Sequence, residues 1–348
     1  MVAVRTPSPS ATDRPAVTAP LIHIGYHKTA TSWLQKRAFS SAALGFALVE
    51  PRRLLNEQVA APHDLDFDPD RCRAFFEPRL DEARLAGLVP VLSTERLCGD
   101  VLYGAYDSVL IAERLAATWP EAKIAIVIRE QREMVVASYQ QYVRAGGQLR
   151  FEQYARRPPA RGRYLLPFVV PHFEYDRLIG HYRRLFGAEE VLVLPFELFR
   201  REPARFIRSL TTFAGASPAP NAIERLPYDE PVNPSWRPCA IAARRHANAL
   251  VRGRLNPWAP FDVRGPVGRT LVRALPAASR AVPRAIDRWI VERMQSTLES
   301  ETLDRYRASN ARTSEMTGLD LAAYGYDTGL PAGTSANLLQ TGTHASSG

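Results

Sequence analysis

A chain of 348 residues with 46% hydrophobic and 9% aromatic content has enough apolar side chain to bury a large core, which excludes a wholly disordered polypeptide. Its net charge is +9, with arginine far outnumbering lysine, so anionic ligands or surfaces are the favoured partners. Cys72, Cys98 and Cys239 are odd in number and widely spaced, which argues against a disulfide framework and predicts reduced thiols in a cytoplasmic protein.

The opening stretch, MVAVRTPSPSATDRPAVTAP, lacks the apolar centre of a signal peptide, and its Pro, Ser, Thr and Ala content predicts a disordered lead-in over residues 1–19. Leu21 to Tyr26 are apolar or β-prone, Thr29 to Ser32 are small and mostly hydroxylated, and helix spacing follows at Trp33, Leu34, Arg37 and Ala38. A strand, a turn and a helix in that order make a phosphate cradle. Backbone N–H groups at the helix start, the helix dipole and the Thr31 and Ser32 hydroxyls converge on an anion, and Lys28 adds a full positive charge. The plainer alternative is a capped strand-to-helix turn whose lysine faces solvent. The nucleoside-triphosphate loop G-x-x-x-x-G-K-[ST] needs glycine directly before the lysine, and His27 stands there.

Strand-like and helical runs alternate from there. VPVLSTE, residues 89–95, is a strand ending at Glu95, and a helix follows around SVLIAERLAATW. KIAIVIR is a near-continuous apolar run ending in Arg129, as expected of a parallel strand covered on both faces, and EMVVASYQQYV is the next helix. FEYDRLIGHYRRLFG puts Tyr175, Leu178, Ile179, Tyr182, Leu185 and Phe186 on one helical face and ends at Gly187. EVLVLPFE is a strand, and PARFIRSLTTFAG is a helix with proline in its first turn and glycine after its end. The alternation predicts an α/β fold over residues 20–330, three-layered with a central parallel sheet flanked by helices and P-loop-like at its first turn. No apolar run reaches the roughly 20 residues that span a bilayer. His63, His172, His181 and His246 have no Cys or His partner at ligand spacing, so no metal site is predicted.

Beyond residue 227 the pattern changes to PYDEPVNPSWRP, then to a basic stretch with twelve arginines and three acids between Arg237 and Arg293. Trp258, Phe261, Trp289 and Ile290 are interleaved with those charges, predicting a mostly helical C-terminal elaboration. It reads either as a solvated basic face around a small core or as a surface for an anionic acceptor or a peripheral membrane contact. Nucleic acid is a poorer partner, because no recognised binding module accompanies the charge. Residues 331–348 are small and polar and predict a disordered tail.

Lys28, Thr29, Ala30, Thr31, Ser32, Trp33 and Leu34 resemble the 5′-phosphosulfate loop of sulfotransferases that use 3′-phosphoadenosine 5′-phosphosulfate (PAPS), with Ala30 in place of the loop glycine. The resemblance implies PAPS as co-substrate, with no metal, and a cofactor-binding segment running from Lys28 through Trp33. In it, Lys28 contacts the bridging oxygen and the 5′-phosphosulfate, and Thr31 and Ser32 hold the phosphate. Lys123 to Gly147 resembles the family's 3′-phosphate motif, an arginine at a strand end and a serine eight residues later. Arg129 matches the arginine, whereas position 137 is alanine and the serine is Ser138. Asn233 and Ser235 resemble an asparagine-x-serine segment of bacterial relatives, and SNARTSEMTGLDLAAYGYDTG resembles the family's closing segment.

Sulfuryl transfer to a hydroxyl is an in-line displacement, so the acceptor needs a general base and the leaving bisphosphate needs charge stabilisation. Lys28 fits the second task. Glu95 fits the first, because ligands of open parallel sheets bind at the carboxyl ends of strands, and several glycan sulfotransferases resemble this arrangement in using a glutamate. Glu95 could instead pair with Arg96, and His27, beside Lys28, is the other base. The implied acceptor is a carbohydrate or glycolipid hydroxyl, anionic ones included, with small alcohols and phenols open. Two further readings stand beside this one: a P-loop nucleotide kinase, and a non-catalytic basic protein that binds membranes or glycans.

Overall fold

The computed structural model describes residues 18–155, 170–230, 232, 236–262, 265–301 and 303–331. Residues 1–17 of the predicted lead-in, residues 332–348 of the tail, and Asn233 and Ser235 lie outside them. Five strands form one parallel sheet: β1 Leu21–His23, β2 Phe46–Leu48, β3 Val89–Ser93, β4 Lys123–Ile128 and β5 Val191–Pro195. Their order is β2-β3-β1-β4-β5. The β1 ladder is short, yet Ile24 N still donates to Ala125 O at 3.0 Å and Tyr26 N to Val127 O at 3.2 Å. Extended backbone therefore runs beside β4 as far as Tyr26, as the apolar run predicts.

Helices cover both faces of the sheet, which is why its strands are apolar on both sides. On one face Ile22, Ile24, Leu92, Ile124, Ile126 and Ile128 pack against Phe76, Leu80, Ile111, Leu115, Ile179 and Tyr182. These come from the helices Pro69–Leu85, Ser108–Thr118 and Tyr175–Phe186. On the other face Leu21, Val89, Val91, Ala125 and Val127 meet Leu34, Ala38, Phe39, Phe206, Ile207 and Leu210. The helix Pro203–Ala214 starts with proline and ends at Gly215 with φ 73°, where only glycine is free of left-handed strain.

The strand order positions the site. From β1 the chain goes out to β2 at the sheet edge, returns to β3 beside β1, then crosses to β4 on the other side of β1, so the order reverses at β1. His23 is in register with Ser93 on one side and Ala125 on the other. The carboxyl ends of β1, β3 and β4 thus lie side by side, and a crevice opens where connections leave in opposite directions.

After the sheet comes the predicted helical elaboration, built from Pro238–Ala247, Pro266–Ala278 and Arg284–Glu301, followed by Leu303–Thr317. Trp258 is 91% exposed and Trp289 58% exposed among its arginines. Among the described residues no helix is long and apolar enough to cross a membrane.

Candidate active site

The cradle is a turn with two left-handed residues, Lys28 at φ 67° and Ala30 at φ 62°. Thr29 Oγ1 donates to the Tyr26 carbonyl and closes the turn. Trp33 N and Leu34 N both donate to Ala30 O, at 2.9 and 3.0 Å, which starts the helix Thr31–Trp33 and its π-helical continuation Leu34–Phe39. Thr31 is buried and Ser32 half-buried. The Trp33 ring is packed into the fold, stacked on Tyr228 at 5.6 Å and edge-on to Phe199 at 4.9 Å. Alanine in the left-handed region carries about 1–2 kcal/mol of strain, against roughly 0.4–1 kcal/mol of unfolded-chain entropy that glycine adds. Ala30→Gly is therefore expected to raise the thermal midpoint by about 1–2 °C and to keep nucleotide binding; a lower midpoint in calorimetry would show that the turn is not strained.

Lys28 is half-buried and forms no ion pair with a described residue. Burial lowers its pKa, the charges of Arg144 and Arg129 push the same way, and Glu95 opposes them. It is a cation held among cations, which suits a multiply charged anion. Arg144 lies at the end of the helix Gln131–Arg144 with its guanidinium 5.4 Å from the Trp236 ring centre. No motif marks Arg144 in the sequence; the helix length alone carries it to the cradle.

Arg129 follows β4 directly. Its Nη1 donates to Lys28 O at 3.2 Å, and its Nε and Nη2 donate to Glu133 Oε2 at 3.1 and 2.6 Å. Glu133 also accepts from Arg200 at 3.1 Å. Burial works against the Glu133 carboxylate, but its bonds to Arg129 and Arg200 hold its pKa below the ordinary range. The backbone of this corner is bolted in place. Tyr175 Oη donates to Arg129 O at 2.5 Å, Glu130 N donates to Glu197 Oε1 at 3.0 Å, and Tyr326 Oη donates to Glu197 Oε2 at 2.9 Å. Gln131 Nε2 donates to Asn310 Oδ1 at 2.6 Å, and Asn310 Nδ2 donates to Asp327 O at 3.0 Å. The asparagine-bearing helix and the tyrosine turn of the closing segment thus hold the β4 corner.

Beside Arg129 lies a cavity of about 630 Å³ lined by Glu133, Ala137, Gln140, Gln295 and Glu299 among others. Arg129 precedes the helix, and within it a spacing of four residues puts Glu133 and Ala137 in one line facing the cavity. Ser138 is one step round from that line and does not line the cavity; it is 1% exposed, and among the described residues its Oγ has no partner.

Glu95 opens the short 3₁₀ turn Glu95–Cys98 directly after β3 and is half-buried. Arg96 pairs with Asp107 and lies 4.0 Å from Asp100, so it does not take up the Glu95 carboxylate. Among the described residues Glu95 has no ion pair, and its charge acts on Lys28. His27 is buried with Nδ1 3.6 Å from Cys98 Sγ. Burial, then the charges of Lys28, Arg96 and Arg254, drive its pKa down to about 3. The imidazole is neutral near pH 7 and a weak proton acceptor, which sets Glu95 ahead of it as a base.

Sheet order therefore gathers Lys28, His27, Glu95 and Arg129 at one crevice, although they come from three strands. Comparison with curated proteins gives no match. Among solved structures the chain is similar to the crystal structure of a sulfotransferase from Alicyclobacillus acidocaldarius, at 18% identity over 62% of this chain and 87% of that one, with a TM-score of 0.39. The model of the Sulfotransferase family matches residues 21–220, from the first residue of β1 to beyond the helix that follows β5. That span covers more than half of the chain and includes the cradle, Glu95 and the β4 corner, and by it the protein belongs to the Sulfotransferase family.

Proposed function

We propose that this sulfotransferase takes the sulfuryl group from PAPS and delivers it to a hydroxyl of an anionic carbohydrate or glycolipid. The observation that carries the reading is Lys28, a half-buried ammonium flanked by Arg129 and Arg144 and facing the charge of Glu95. The residues present fit a nucleotide of this kind. Among the described residues Thr31 Oγ1 and Ser138 Oγ are buried polar atoms without partners, and Arg129, which lines the cavity, donates to the Lys28 carbonyl of the cradle.

When bound, PAPS supplies an activated sulfuryl group on a bisphosphate leaving group. Glu95 accepts the proton of the acceptor hydroxyl as its oxygen attacks sulfur. Lys28 meets the negative charge that develops on the bridging oxygen as the sulfur–oxygen bond to the phosphate breaks. Arg129 holds the 3′-phosphate through a guanidinium suited to paired contacts. Arg144 over Trp236 offers a cation backed by an aromatic face, whereas Arg254, over Tyr103 at 5.1 Å, is ion-paired with Asp100. The Arg144–Trp236 pair favours an acceptor that has a sugar face to stack and an acidic group to neutralise.

Titration calorimetry with 3′-phosphoadenosine 5′-phosphate against ADP and ATP tests the donor, since this reading demands a strong preference for the 3′-phosphate. Arg129→Ala is expected to lose about 1.5–3 kcal/mol of binding to the 3′,5′-bisphosphate and far less to the analogue without the 3′-phosphate. Equal losses would make Arg129 structural. Ser138→Ala should show a smaller loss that is still selective for the 3′-phosphate.

A further inference from the structure

The helix Arg284–Glu301 begins with a basic tip that none of these roles uses. Between residues 266 and 291 there are five arginines and one acid, Asp287. That acid is occupied: its Oδ2 accepts from Arg237 Nε at 2.6 Å and its Oδ1 from Cys239 N at 2.9 Å. Arg237 Nη2 also donates to Val282 O at 2.9 Å, so this pair fastens the start of the helix to the fold. Of the first six helical residues only Asp287 is drawn inward. Arg284, Ala285, Ile286, Arg288 and Trp289 are exposed, as is Arg280 in the 3₁₀ turn Ser279–Ala281 just before them.

Arg280, Arg284 and Arg288 have no carboxylate partner among the described residues, and the last two stand with Arg237 and Asp287 around a hollow of about 600 Å³. Uncompensated charge of one sign attracts an anion. Ile286 is 44% exposed in the same two turns, and Trp289 more so. Isoleucine gains nothing from a sugar or a phosphate and needs an apolar phase, while an indole beside arginine suits the boundary between headgroups and acyl chains. The next turn changes character. Glu292 is acidic and exposed, and Arg293 is held by Glu152 at 2.7 Å, so the tip ends there.

We propose that this tip docks the protein on an anionic phospholipid bilayer. Arg284 and Arg288 take lipid phosphates at the hollow, Arg280 adds its charge, and Trp289 and Ile286 enter the boundary between headgroups and acyl chains. A second copy of this chain is the wrong partner, because it would bring net positive charge to a positive tip. Further along the same helix Val291, Gln295 and Glu299 line the cavity beside Arg129, and Val291 is only three residues, about 4.5 Å of helical rise, beyond Arg288. Docking therefore holds that cavity close to the headgroups, where a glycolipid hydroxyl would be presented; this consequence alone rests on the proposed function.

The test is sedimentation of the full chain with vesicles of phosphatidylcholine alone and of phosphatidylcholine and phosphatidylglycerol in equal parts, read beside tryptophan emission. Binding is expected to the mixed vesicles only, weakening as salt is added, with emission shifted to the blue. Arg284→Gln and Arg288→Gln are each expected to weaken it about fivefold, and Trp289→Ser to weaken it and remove most of the blue shift. All three changes lie on an exposed tip, so the thermal midpoint and the titration with 3′-phosphoadenosine 5′-phosphate should match those of the unaltered chain. Equal binding to both kinds of vesicle, arginine variants that bind as before, or a blue shift that survives Trp289→Ser would overturn the proposal. So would capture of a heparin oligosaccharide with no binding to either vesicle, which would assign the tip to a glycan. Vesicle binding by a chain that ignores the bisphosphate would leave the docking surface standing and remove the proposed donor.

Discussion

Lys28→Ala is expected to leave a folded protein whose sulfuryl transfer falls by about 100- to 1,000-fold, the usual cost of losing one donor to developing charge. Folding should persist because Lys28 forms no ion pair with a described residue and its ammonium is disfavoured by burial and by the charges of Arg144 and Arg129. Alanine carries the same Cβ at φ 67°, so the backbone strain of the turn is unchanged. Removing a charge of that kind should not weaken the apo protein. Initial rates with PAPS, read beside a thermal melt, decide the matter: a variant that melts normally and transfers at a near-native rate would end the assignment of Lys28 to the leaving group.

Glu95→Gln keeps size and hydrogen bonding but cannot accept a proton, so transfer should drop by about 100-fold or more while bisphosphate affinity stays unchanged. Two features of the structure bear on this expectation. Arg96 is occupied by Asp107, which leaves the Glu95 carboxylate without an ion pair among the described residues, and the Glu95 charge reaches Lys28, on which the leaving charge is to fall. His27→Ala should be the milder change, because an imidazole whose pKa is down to about 3 takes a proton poorly. Rate and affinity measured separately for both variants distinguish the two bases. Full activity in Glu95→Gln with a dead His27→Ala would exchange their roles.

Much of the framework was legible because it is written in local chemistry. An apolar run ending in a small, hydroxylated turn announces a strand and a phosphate-type cradle at Lys28, and an isoleucine-rich run ending in Arg129 announces a strand covered on both faces. Proline before and glycine after 203–214 mark a helix because φ is fixed at one end and left-handed at the other. Ser138 shows the limit of such reading. Spacing raised the question of register, and only the helix in place shows that position 137, an alanine, lines the cavity beside Arg129 while Ser138 does not.

By itself the sequence determined most of the elements, though not β2 or the helix Pro69–Leu85, together with the parallel α/β class and the residue types of the cradle, since periodicity, turn preference and charge act over a few neighbours. Tertiary structure alone decided which distant side chains meet. Strand order sets Glu95 and Arg129 on either side of Lys28, helix length brings Arg144 to the cradle, and packing ties Asn310 to Gln131 and buries the Trp33 ring against Tyr228. The pairing of His23 with Ser93, seventy positions apart, exists only because β1 and β3 share one register. A hydrogen bond between such residues leaves no periodic mark in the chain; it depends on where the sheet places the backbone.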